Sequence, residues 1–222
     1  MESTGKMPTE AIILSAGEGM RLKPLSDEVP KCLVRIKGKT LLEYQLEHLR
    51  SFGINRVVVT IPQSLATRTI SELEELREDE QIILSIEDEI LGTAGGLRQA
   101  LAFIESAPIV LNADDLADVN INDLSRLGTP TISITQIRSP FGIISIDGNQ
   151  AINFKEKPLL PYFTSLGWYY LPKQMVLPEK GSLERDVFPR LAREGLLKIY
   201  IHQGRWTTIN TLKDIMEAEC EF

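Results

Sequence analysis

The chain has 222 residues, 43% of them hydrophobic and 25% charged, which suits one domain with a sizeable core. A net charge of −7 excludes the basic footprint of a nucleic-acid binder, no apolar run reaches transmembrane length, and the opening MESTGKMPTE lacks the apolar core of a signal peptide. Two cysteines, Cys32 and Cys220, supply neither a disulfide framework nor zinc-ligand spacing, so a reduced, cytoplasmic setting away from any membrane is expected.

The first predicted element is a buried strand, AIILSA (11–16). It runs into LSAGEGMRLKPLSDEVPKCL (14–33), in which Gly17 and Gly19 allow close backbone approach and exposed amides can cradle an anion. Arg21 adds a planar cationic fork and Lys31 a point charge. Residues 17–39 hold six bases against three acids. Pro24 and Pro30 interrupt any helix here, so neither the P-loop nor the dinucleotide fingerprint applies. The residues alone fit a long phosphate-facing loop, with a merely solvated basic loop as the alternative.

A helix follows in TLLEYQLEHLRSFG (40–53), opened by a Thr40–Glu43 capping box, striped by Leu42, Leu46 and Leu49, and stopped by Gly53. Strand RVVVTI (56–61), a helix over about 64–77, strand QIILSI (81–86), a helix over about 94–105 and strand PIVLNA (108–113) complete a βαβ series. These strands are apolar almost throughout, as in a parallel sheet covered on both faces. Residues 72–89 carry nine acids and one base and read as a solvated helix and loop, Glu87 excepted.

The second half changes to short strands divided by turns: TISITQI (131–137), FGIISID (141–147), AINFKEK (151–157) and SLGWYYL (165–171). Helices are expected over about 183–194 and from Thr211, the latter capped by Asp214. The pattern predicts an α/β protein, a single domain over 1–222, with the second half added to the same sheet. Ligands of open α/β sheets sit beyond the carboxyl ends of strands. There, Asp114 and Asp115 end the fourth strand and would face the 14–31 loop. A carboxylate beside a phosphate site suits Mg²⁺, which binds through one or two carboxylates plus phosphate oxygens. The alternative is that the Asp pair only caps a turn.

The ordered motifs, spread from about Ala11 to Ala218, resemble the sugar-1-phosphate nucleotidyltransferases. Ala16-Gly17-Glu18-Gly19-Met20-Arg21-Leu22-Lys23-Pro24-Leu25-Ser26, then Pro30-Lys31, is similar to the family's signature loop. LGTAGGL (91–97) resembles its nucleobase segment, NADD (112–115) its metal-binding aspartate segment, FKEKP (154–158) its sugar-phosphate motif, SLERDVFPRL (182–191) a further sugar-binding segment, and GRWTTINTLKD (204–214) its closing motif. The resemblance implies a three-layer α/β/α Rossmann-like fold with a mixed, mostly parallel sheet. It implies a nucleotide half over about 10–115 and a sugar half over about 116–222. The reaction would join an NTP and a sugar 1-phosphate, with Mg²⁺ as cofactor and a homo-oligomer allowed. Arg21, Lys31 and Asp114 would be catalytic, with Asp114 on the metal. Ala16, Gly17, Gly19, Gly92 and Thr93 would hold the nucleotide. Gly142, Glu156, Lys157, Gly167 and Glu184 would line the sugar-phosphate pocket.

The LGTAG form looks most like mannose-1-phosphate and heptose-1-phosphate guanylyltransferases, which points to GTP. Glu87, an acceptor-only carboxylate, would suit the adjacent N1–H and N2–H₂ donors of guanine. Four residues depart from the pattern: Met20 and Ser26 in the loop, Ser165 at a sugar-binding asparagine, and Thr208 at the second metal-binding aspartate. Asn210 or Asp115 could supply the missing ligand. The chain ends soon after the last motif, so no acyltransferase or left-handed-helix extension is expected. Thr208 leaves open a catalytically impaired regulatory subunit that binds nucleotide or sugar phosphate. A transferase for a non-sugar phosphate is the remaining alternative.

Overall fold

The computed structural model describes residues 7–17, 29–74 and 81–221. In chain order it contains strand β1 (Glu10–Leu14), a small hairpin of β2 (Arg35–Ile36) and β3 (Lys39–Thr40), helix α1 (Leu41–Ser51), β4 (Arg56–Pro62), α2 (Ala66–Glu74), β5 (Gln81–Glu87), α3 (Gly92–Ala100) and β6 (Ile109–Asn112). The second half adds β7 (Asp115–Ala117), α4 (Ile121–Ser125), β8 (Thr131–Arg138), β9 (Ile143–Asp147), β10 (Gln150–Lys155), β11 (Leu159–Tyr170), α5 (Phe188–Arg193), β12 (Lys198–Ile201), β13 (Trp206–Thr208) and α6 (Leu212–Glu221).

Seven strands form one sheet in the order β12-β8-β11-β6-β1-β4-β5, and strands from both halves of the chain share it. All neighbours are parallel except β11, which runs antiparallel to both β6 and β8. Register sets Ile12 beside Val58 on one side and Val110 on the other. Alternate residues therefore point to opposite faces. Ala11, Ile13, Val57, Val59 and Leu111 pack with Leu42, Leu46 and Leu49 of α1. Ile12, Leu14, Val58 and Val110 pack with Ala94 and Leu97 of α3 and with Phe188 and Leu191 of α5. Two covered faces make three layers and explain why the central strands carry apolar residues without alternation. No helix among the described residues is long and apolar enough to cross a membrane.

The capping box of α1 is present: the Glu43 N–H donates to Thr40 Oγ1 (3.1 Å) and the Thr40 N–H to Glu43 Oε2 (2.6 Å). Elsewhere the element bounds differ from the sequence expectation. The second helix starts with a 3₁₀ turn over Gln63–Leu65, and its expected end, 75–77, lies outside the described residues. Helix α3 begins at Gly92 and tightens after Ala100 into a 3₁₀ turn, Leu101–Phe103. The expected helix over 183–194 is a π turn, Leu183–Val187, continued by α5 with Pro189 in its first turn, where a missing N–H costs nothing. The segment 165–171 is the end of the twelve-residue β11; two register irregularities and Pro161 break its pattern. Strands β7, β12 and β13 and helix α4 were not expected; each has at most five residues, too few to show a period.

The chain leaves β1 to build β4 and β5 on one side and returns to place β6 on the other. The sheet's topological switch point therefore lies between the carboxyl ends of β1 and β6, where open α/β sheets form a crevice.

Candidate active site

A cleft of about 530 Å³ opens at that switch point. Ser15, Ala16 and Gly17, which follow β1, form its floor with Thr60 at the end of β4. The Ser15 N–H donates to Thr60 Oγ1 (3.0 Å), and Ser15 Oγ accepts from the Cys32 N–H (3.2 Å). Those bonds tie the Lys31–Leu33 turn to the strand end. Cys32 itself is fully buried and burial pushes its thiol up to about 11, so it is an inert anchor. The anchored turn aims Lys31 across the crevice, where Nζ lies 2.5 Å from Asp114 Oδ2. Both side chains are largely shielded, 18% and 17% exposed, a setting in which a charge-assisted bond is short and strong.

Asp114 and Asp115 are adjacent and turn opposite ways. Asp114 lines the cleft, and its carbonyl accepts from the Ile209 N–H (2.8 Å). Asp115 turns inward. Its Oδ1 accepts from Trp206 Nε1 (3.1 Å), its Oδ2 from Asn112 Nδ2 (3.2 Å), and the Thr208 hydroxyl, its cross-strand neighbour, also donates. Burial, and next the Asp114 charge, push the Asp115 carboxyl up to about 7. Gly167 adopts φ +74°, and a Cβ there would fall 2.0 Å from Asp115 Oδ2. This glycine is buried beneath Asp115 and is not among the residues that line this cleft. Asp115 is likewise buried and absent from the cleft lining.

Where a second metal ligand was expected, Asn210 Nδ2 donates to Thr208 Oγ1 (2.8 Å). Asn112 Oδ1 and Asn210 Oδ1 are buried acceptors without a partner among the described residues. Asn112 lines the cleft beside Asp114. No group of three or more His, Cys, Asp or Glu residues able to hold a metal occurs among the described residues.

The far wall is α3 with the segment before α5. Gly92 sits at φ +72°, and a Cβ there would lie 2.3 Å from the Gly181 carbonyl oxygen. Backbone bonds knit the two segments: the Ala94 N–H donates to Gly181 O (3.0 Å) and the Gly181 N–H to Leu91 O (2.9 Å). Glu87 lines the cleft, and its Oε2 accepts from the Leu91 N–H (3.1 Å); burial raises its carboxyl above the usual range. Thr93 Oγ1 donates to Glu184 Oε2 (2.9 Å) and accepts from the Leu183 N–H (2.8 Å). Ser182 Oγ also donates to Glu184 Oε2 (2.7 Å), while Asp186 accepts from the Ser182 N–H (2.6 Å).

Ala16, Gly17, Lys31, Glu87, Gly92, Thr93 and Asp114 thus share one cleft, with Glu184 bonded to its rim. Gly19 and Arg21 lie outside the described residues, as do Met20 and Ser26. Gly142, Glu156 and Lys157 do not line the cleft. They belong to an arm built on β9 and β10, where Gly142 lies against the Phe154 ring and Glu156 and Lys157 are exposed. The reason is topological: among the described residues β9 and β10 pair only with each other, so the arm is not part of the main sheet. Two cleft cations escaped the sequence reading. Lys180 pairs with Glu89 (2.6 Å), whereas Arg185 lines the cleft with no ion pair among the described residues. The signal for Arg185 was its place between two acids, Glu184 and Asp186, both of which turn back to cap their own turn.

The family model described as nucleotidyl transferase matches residues 10–222. The chain is 32% identical to the mannose-1-phosphate guanylyltransferase catalytic subunit beta of Danio rerio, over 96% of this chain and 64% of that protein. It therefore spans just under two thirds of that curated relative's length. The crystal structure of HddC from Yersinia pseudotuberculosis has a TM-score of 0.77 to this fold at 27% identity, covering 96% of this chain and 99% of that one. HddC complexed with GMP-PN gives a TM-score of 0.76 at 25% identity, over the same shares.

Proposed function

The chain belongs to the nucleotidyl transferase family, and we propose that it joins a nucleoside triphosphate, GTP by preference, to a sugar 1-phosphate. A phosphate oxygen of the sugar phosphate attacks the α-phosphorus of the nucleotide in line. The bond from that phosphorus to the β-bridging oxygen breaks, and pyrophosphate leaves with its electron pair. No covalent intermediate and no proton transfer is needed, so the protein's work is positioning and charge stabilisation.

The observation that carries this reading is the Lys31–Asp114 pair at the switch point of the sheet. Lys31 would neutralise charge building at the α-phosphate, with Asp114 holding its ammonium on target. Arg21 is proposed to stabilise the pyrophosphate. Asp114 and the unpartnered Asn112 Oδ1 are oxygen donors in one cleft, a donor set that suits Mg²⁺ completed by triphosphate oxygens and waters. When bound, the ion would neutralise phosphate charge. Thr208 is not required in this set.

GTP is supported by the name of the Danio rerio relative and by the HddC complex with GMP-PN. Glu87 is the acceptor proposed to read guanine's N1–H and N2–H₂ edge. On the acceptor side, Glu184 at the rim and the uncommitted Arg185 are proposed to hold sugar hydroxyls and phosphate. Lys157 and Glu156 would contribute if the arm approaches the cleft.

The test is pyrophosphate release from a panel of NTPs crossed with sugar 1-phosphates. The expected result is turnover highest with GTP and strongly reduced in Lys31→Ala and Asp114→Ala. Binding of GTP with no turnover for any pair would replace this reading with that of a regulatory subunit.

A further inference from the structure

Leu41, Leu42, Leu46 and Leu49 form the buried face of helix α1, and Gln45 is set among them. Gln45 is 1% exposed, so the helical period places an amide where it calls for an apolar side chain. Burying an amide costs free energy unless its polar atoms are bonded, and a polar residue at a core position needs a reason. Its partners supply one. Strand β6 ends at Asn112 and β7 begins at Asp115, so Asp114 stands in the short turn between them. Gln45 Nε2 donates to the Asn112 carbonyl (2.8 Å) and to the Asp115 carbonyl (3.0 Å). One NH₂ group thus places its two protons on the two ends of the turn. Both carbonyls only accept, which fixes the amide with its nitrogen toward them. Gln45 Oε1 is left buried without a partner among the described residues, which follows from aiming both donors at the turn.

We propose, on the reading of the cleft as a nucleotidyl-transfer site, that Gln45 is a positioning residue: it staples the Asn112–Asp115 turn so that Asp114 meets Lys31 across the cleft. Other bonds hold the turn at single points. The Ala113 N–H donates to Leu14 O (3.1 Å), the Ile209 N–H to Asp114 O (2.8 Å), and Trp168 Nε1 to the same Asp115 carbonyl (3.1 Å). Of these groups, only Gln45 grips both ends. Gln45 does not line the cleft, so it acts through Asp114 and not on a substrate there. A shift of the turn carries the Asp114 carboxylate with it and opens its contact with Lys31, and a misplacement near 1 Å can cost about 100-fold in rate.

The test is Gln45→Met, which keeps the length and packing of the side chain while removing both donors and the orphaned acceptor. A crystal structure of the variant without ligands is expected to show the Lys31–Asp114 contact opened. In a pyrophosphate-release assay, kcat should fall roughly 10–100-fold. In an Asp114→Ala background the same substitution should cost less than about twofold, because the group it positions is gone. A merely structural role would cost the same factor in both backgrounds. Gln45→Leu, which matches its neighbours on the helix, repeats the comparison should Gln45→Met fold poorly. A kcat near that of wild type, equal losses in the two backgrounds, or an unchanged ion pair in the variant structure overturns the proposal. Absence of turnover in wild type would instead end the catalytic reading, and the variant structure would still decide whether Gln45 holds the turn.

Discussion

At the cleft, the charged groups withdrawn from water find partners within the chain, while Asn112 Oδ1 has none among the described residues. Lys31 meets Asp114, Asp115 gathers three donors, and Glu87 takes the Leu91 N–H. On the arm the situation is reversed: polar groups are solvated, and it is apolar groups that stand unmatched, Ile146 and Phe141 among them. The difference follows from cost. A buried polar atom without a partner loses on the order of 1–3 kcal/mol, so the chain itself must satisfy it. An exposed apolar side chain is tolerable alone and becomes a driving force only when another surface arrives. The charged groups of the cleft are thus held by the chain itself, while the apolar side chains of the arm stand in solvent.

The sharpest break in this contrast comes from the cleft's central pair. Lys31→Ala or Asp114→Ala should lower turnover by roughly 10²–10³ in a pyrophosphate-release assay. An arm variant such as Gly148→Ala should keep turnover far above that level. Near-normal turnover in either cleft variant would remove its assigned role.

Glycines extend the comparison to stability. Gly167→Ala must place a Cβ against Asp115 at φ +74°, and Gly148→Ala, at the arm's turn, carries φ +52° with nothing within 4 Å. The first should cost at least ~2 kcal/mol, a fall of roughly 4–8 °C in Tm. The second should cost about 1 kcal/mol, from the left-handed backbone alone. Equal shifts by thermal melting would show the cleft to be no more tightly packed than the arm.

Arg185→Gln tests the one cleft cation without an ion pair among the described residues. It should raise the KM for the sugar phosphate about tenfold, worth ~1.4 kcal/mol, and leave the KM for GTP unchanged. A change confined to GTP would move Arg185 to the nucleotide side.

A further effect is expected at the far end of β1. Burial alone would raise Glu10, but the Ser106 N–H and hydroxyl, the Glu105 N–H and the Arg56 guanidinium outweigh it and hold the carboxyl below the usual range. A carboxyl depressed in the folded state adds stability above its unfolded pKa of about 4.5 and loses it as pH falls through the folded value. Glu10→Gln should therefore destabilise by about 1–2 kcal/mol at neutral pH, and the gap to wild type should close on acidification. Denaturant melts at neutral and acid pH measure it.

Much of the first half of the chain is legible in the sequence alone. Continuous apolar strands, the Thr40–Glu43 box and the alternation of strand and helix are local signals, and they led to the β1–β6 crevice and to Asp114 facing the loop that carries Lys31. Even there, the boundaries moved. Helix α3 starts where Gly92 must meet Gly181, a contact 89 positions away that no local pattern announces.

The second half was less legible, because its elements owe their existence to partners distant in sequence. Strand β12 is four residues, Lys198–Ile201, admitted to the sheet by pairing with β8. By itself, then, the sequence determined the layer order of the first half of the chain and which residue types gather at its strand ends, because burial on two faces and capping are written in near neighbours. Only the tertiary structure decided that Gly167 makes room for Asp115, that Thr208 and Asn210 bond to one another, and that Gly142, Glu156 and Lys157 stand on an arm off the cleft. Each of those is a contact across strands, and a contact across strands depends on pairing and register that no single segment encodes.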